Sequence, residues 1–162
     1  MAELTTLEEK LAEVTGLAKA AQDATRKIES WTDDEELTGK LQQMREEAEE
    51  TERRCTDLAD HRDGKKTAIL EKAQETKGEA EEMMSTYLGD DSDDLDGFEF
   101  LTMAEAGEVG HWEILGTLGE KAGEQRVEEL VGWALPIQQR HFEDVRQGSL
   151  KPASQEDPNA PS

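Results

Sequence analysis

The chain has 162 residues, 40 of them acidic and 18 basic, giving a formal net charge of −22. That balance excludes binding to a nucleic-acid backbone, which needs a concentrated cationic footprint, and no stretch approaches the roughly 18 apolar residues of a membrane span. A single cysteine, Cys55, excludes an internal disulfide and a cysteine-built metal cluster, and suits a reducing compartment.

The opening, MAELTTLEEKLAEVTG, has neither the basic start nor the unbroken apolar run of a secretory leader, so a cytoplasmic location is expected. Leu4, Leu7, Leu11, Val14, Ala18, Ala21, Thr25 and Ile28 alternate steps of three and four, the signature of one helical stripe over about 4–30. Thr32 or Asp33 can cap the next helix, about 34–62, whose stripe runs through Leu37, Leu41, Met44, Ala48, Thr51, Cys55 and Leu58. Two stripes of similar length across a short joint read as an antiparallel hairpin. Cys55, on that stripe, reads as a buried small hydrophobe.

Asp63-Gly64 marks a break, after which Ile69, Ala73, Thr76, Ala80, Met83 and Tyr87 resume the pattern over about 66–88. The acidic segment GDDSDDLDG over 89–97 does not fit a calcium loop: with Gly97 in the glycine position, Met103 falls where a bidentate glutamate is required. It reads as a solvated linker in which Asp96 helps cap the following helix. That helix, about 98–119, carries Leu101, Ala104, Glu108, His111, Leu115 and Leu118 on one stripe. Gly123 punctuates the joint, and the last helix, about 124–147, carries Val127, Val131, Ala134, Gln138, His141 and Val145, with Pro136 expected to bend it. One domain over 1–148 is expected, followed by a disordered tail over 149–162.

Glu108, His111, Gln138 and His141 occupy register positions where leucines would be expected. Polar groups there are costly unless hydrogen-bonded, paired or bound to metal. A carboxylate and an imidazole three residues apart share a helix face and can offer oxygen and nitrogen to one ion. The four residues therefore define a candidate metal site, with a metal-free hydrogen-bond network as the competing reading. Iron, manganese and zinc all tolerate such donors.

The segment EAGEVGHWEILGTLGEKAGEQRVEELVGWALPIQQRH resembles the last two helices of bacterial ferritin-like proteins, above all a stress-associated group with a histidine-aromatic-glutamate triplet before a glycine-bearing turn. DEELTGKLQQMREEAEETERR resembles their second helix and DGKKTAILEKAQETKGEAEEMM their crossover stretch. The resemblance implies an all-α, four-helix bundle of two hairpins joined by a crossover helix, forming a homodimer, with a role in stress or metal handling and iron or manganese ahead of zinc. Carried over by position, the triplet is His111 and Glu113, Gly110 replaces the glutamate that commonly precedes that histidine, and Gln138 stands for the glutamate paired with His141. The complete di-iron pattern also wants a glutamate on each of two helices and a glutamate-x-x-histidine on each of two others. The first helix departs from it, because Glu13 and Glu29 are each one position off the core stripe, and the second offers Thr51 and Cys55 there. The alternative is a non-catalytic dimer whose acidic faces meet a basic partner.

Overall fold

The computed structural model describes residues 2–162. Five helices, and no strand among the described residues, make up the fold: α1 (Thr6–Glu29), α2 (Glu35–Asp60), α3 (Lys66–Tyr87), α4 (Asp94–Ala122) and α5 (Gln125–Gln155). Local chemistry sets most of their ends. Thr5 and Glu8 form a reciprocal capping box on α1, and Asp93 and Asp96 do the same on α4, so the acidic linker delivers the cap of the helix it precedes. The cap of α2 is Asp34, rather than Thr32 or Asp33; its carboxylate accepts from the Leu37 amide at 3.0 Å. Gly64 (φ 72°) and Gly123 (φ 66°) take the left-handed conformation that ends a helix cheaply only at glycine. The chain therefore breaks between α2 and α3, as Asp63-Gly64 predicts.

The helices α1 and α2 pair as one hairpin and α4 and α5 as another, and contacts of α1 with α4 and of α2 with α5 close a four-helix bundle. The crossover helix α3 lies against α1. Gly16 permits this: a Cβ there would run into the Ala73 carbonyl oxygen and come within 2.8 Å of the Thr76 Cβ. All seven stripe residues of α2 are buried, as are the six of α5.

The apolar core falls into two clusters. One gathers Leu11, Cys55, Ile69, Trp112, Leu115 and Val127 near one end of the bundle. The other gathers Ile28, Leu41, Met44, Phe98, Leu101 and Val145 near the opposite end. On α4 and α5 the residues between the two clusters are polar, namely Glu105, Glu108, Gln138 and His141, so a hydrophilic layer divides the core. Burying a large apolar side chain contributes roughly 1.5–3 kcal/mol, and the two flanking clusters are what offset the cost of that layer.

One expectation is corrected. The segment after Gly148 is helical as far as Gln155, not a tail from residue 149. Lys151 reaches Asp34, the cap of α2, at 2.6 Å, and Pro152 is buried, so tertiary contacts hold a last turn that composition alone does not favour.

Candidate functional site

Three of the four expected site residues meet in the polar layer. Gln138 donates its side-chain amide to Glu105, in a close contact, and to Glu108 at 3.1 Å. His141, one turn along α5, stands with Nε2 3.1 Å from Glu47 Oε1 and Nδ1 4.0 Å from Glu105 Oε2. Arg140 closes the outer edge by pairing with Glu47. The layer thus runs Arg140, Glu47, His141, Glu105, Gln138, Glu108, joining α2, α4 and α5.

His111 is the exception. It is about 39% exposed, its Nδ1 lies 2.8 Å from the Gly107 carbonyl, and its Nε2 faces Glu13 of α1 at 3.6 Å. The residue that enters the core in its place is Trp112, 1% exposed. The true inner face of α4 is Phe98, Leu101, Glu105, Glu108, Trp112, Leu115 and Gly119, so Ala104, His111 and Leu118 belong to the neighbouring face.

Two members, Glu105 and Glu47, do not follow from the register. Glu105 precedes Glu108 by three residues, a spacing that puts both on one face once the face is set correctly. Glu47 lies one residue before Ala48 on the α2 stripe, where it reaches over the bundle edge to His141. Neither Arg54 nor Cys55 of α2 takes part. Arg54 lies over the Trp133 ring at 4.0 Å, and burial pushes the Cys55 thiol up to about 12, only partly opposed by a hydrogen bond with Thr15. That thiol is inert packing material.

The electrostatics of the layer are asymmetric. Burial raises Glu105, against the attraction of His141 and hydrogen bonds with Glu108 and Gln138. Burial raises Glu108 further, and the Glu105 charge adds to it, so of the two inner carboxyls Glu108 is the one more strongly biased towards its protonated form. Burial also pushes Glu47 upward, but hydrogen bonds from Arg140 and His141 outweigh it and hold this carboxyl below its ordinary value. Two carboxyls biased towards protonation and one biased towards ionisation therefore flank a single imidazole inside the bundle.

As placed, no three histidine, cysteine, aspartate or glutamate side chains among the described residues converge closely enough to grip an ion. The donors of the layer, two inner carboxyls, one imidazole and one amide, are types that divalent iron, manganese and zinc all tolerate, so they do not choose among these metals. No helix among the described residues is long and apolar enough to cross a membrane.

Helix order, the two hairpins and the divided core define an all-α bundle with a buried polar layer. No protein-family model matches the chain, and no curated protein matches it in sequence.

Proposed function

We propose that the polar layer binds one divalent metal ion through Glu105, Glu108 and Nδ1 of His141, and that the chain acts in metal handling in the manner of a ferritin-like bundle. The carrying observation is the line Glu47–His141–Glu105. A carboxylate on one imidazole nitrogen fixes the ring so that the other nitrogen faces the inner carboxyls. Histidines that ligate metals are commonly held this way from behind. A cation would offset the carboxylate charge that burial disfavours at Glu105 and Glu108, and Gln138 could turn its amide oxygen inward by rotation. Bound there, the metal would supply a Lewis-acidic centre. The protein's own part is to hold the donors dry between two apolar clusters.

The test is metal content per chain after purification without chelator or affinity nickel. Near-stoichiometric iron, manganese or zinc should vanish in Glu105→Gln/Glu108→Gln and in His141→Ala, and persist in His111→Ala. Wild-type protein that remains empty after each metal is offered separately sinks the proposal. One observation favours a second reading, a structural layer in a non-catalytic dimer: Gln138 already satisfies both inner carboxyls without an ion. Light-scattering mass together with an empty site would select it.

A further inference from the structure

The second half of α3 carries an apolar stripe with nothing over it. Ile69, Ala73 and Thr76 are buried against α1, whereas Met83 is 52% and Tyr87 58% exposed. Here α3 and α4 both lean on α1 and leave a gap, a partly enclosed cavity of about 350 Å³. Its floor is made of Leu17, Ala20 and Ala21 of α1, and its walls include Met83 and Met84 of α3 and Met103 of α4. Small floor residues give room, and flexible thioethers adapt to an occupant's shape. The volume lies at the small-molecule end of known ligand sites, and the stretch of helix lining it is about three turns, roughly 16 Å long.

The polar groups around this apolar trough are mostly of one sign. Glu13, Glu79 and Glu81 stand at its rim, and Glu105 and Glu108, themselves almost wholly buried, line it on the α4 side. Against them stand Lys10, paired with Glu13 at 3.0 Å, Lys77, 3.4 Å from Glu81, Lys72, which leans to Glu75 at 3.4 Å, and His111, which faces Glu13. An incoming cation competes with Lys10 and Lys77 for the rim. A second copy of the chain would bring an identical acidic rim against this one. An anionic amphiphile would meet the same repulsion. We propose that the cavity binds an amphiphilic organic cation, its apolar body between the methionines and its ammonium or amidinium group at Glu13, Glu79 and Glu81. These rim carboxylates are not among the residues assigned to the metal, so either reading can fail while the other stands.

The test uses the full chain carrying ¹³C-methyl methionine, titrated with n-octylammonium and, separately, with octanoate, each below its micelle concentration. Octylammonium should saturate, with the shifts concentrated on the methyls of Met83, Met84 and Met103 rather than on buried Met44, and bind at least tenfold tighter than octanoate. Ala80→Trp, which fills the cavity from the partly exposed side of α3, should weaken octylammonium at least tenfold, as should Glu13→Gln/Glu79→Gln/Glu81→Gln. Circular dichroism melts identify which variants are folded and can be scored. Equal binding of octanoate, shifts spread evenly onto Met44, insensitivity to both folded variants, or groove shifts that grow with protein concentration alone would overturn the proposal.

Discussion

His141 Nε2 and Glu47 Oε1 stand 3.1 Å apart, joining the last helix to the second across the bundle. Because Arg140 grips the same carboxylate, Glu47 is the acceptor for two donors on α5. Glu47→Ala should therefore cost about 1.5–3 kcal/mol in urea unfolding at pH 7, the usual range for losing hydrogen bonds to a charged group. Glu47→Gln should recover part of that. An unchanged midpoint in the alanine variant would mean that the pair contributes nothing in solution.

The carboxyls of the layer predict opposite pH dependences. Glu47 is held below its unfolded value, so its contribution is present above the unfolded carboxylate pKa and is lost as pH falls through the folded one. Glu105 and Glu108 are raised, so the folded state holds protons that the unfolded state has released. Their effect is a stability that declines as pH rises from the unfolded carboxylate pKa towards the folded values, and then levels. One such proton corresponds to a slope of about 1.4 kcal/mol per pH unit. In Glu108→Gln that descending limb should flatten, as measured by unfolding free energies from pH 4.5 upward in metal-free buffer. A limb of unchanged slope would show that Glu108 does not hold the proton.

Two glycine substitutions should move stability in opposite directions. Gly16→Ala forces a methyl group against the Ala73 carbonyl and Thr76, and overpacking of this kind costs typically about 1–3 kcal/mol. Gly78→Ala, on α3 with nothing within 4 Å of the new methyl, should gain about 0.5–1 kcal/mol by removing glycine's excess freedom from a helix interior. Thermal melts of the two variants beside wild type decide the matter. Destabilisation in both would indicate that α3 is packed differently.

With a net charge of −22 the compact state repels itself, and added salt screens that repulsion. Raising potassium chloride from 0.1 to 1 M should stabilise the fold by about 1 kcal/mol or more, which at this size is roughly 2–4 °C in Tm. A falling Tm would show that the cross-helix pairs, such as Arg62 with Glu8 at 3.0 Å, outweigh the general repulsion.

The legibility of this chain differs from helix to helix. In α2 and α5 the apolar stripe is narrow and the opposite face charged, so the register selects the buried residues, including Gln138 and His141. In α4 both candidate faces are apolar: Leu101 and Leu115 lie on the shared boundary, and either His111 or Trp112 continues the pattern. Only packing against α5 settles that choice, and it settles it for Trp112 and Glu105. Glu47 carries no such mark, because a glutamate at the shoulder of a stripe looks like any other solvated charge until the facing helix supplies a histidine. The end of α5 is hidden for a related reason, since Lys151 and Pro152 acquire their partners only across the bundle.

From Lys77 to Tyr87 no residue of α3 is buried, yet the segment is pinned before it by Ile69 and Ala73 and after it by Leu88. Such a strap can fluctuate in its middle without disturbing either core cluster. Its backbone amides should thus exchange with solvent through local motion, while those of α4 beside Trp112 wait for the whole bundle to open. Entry to the cavity under the strap is then set by a small, fast fluctuation that leaves both apolar clusters packed.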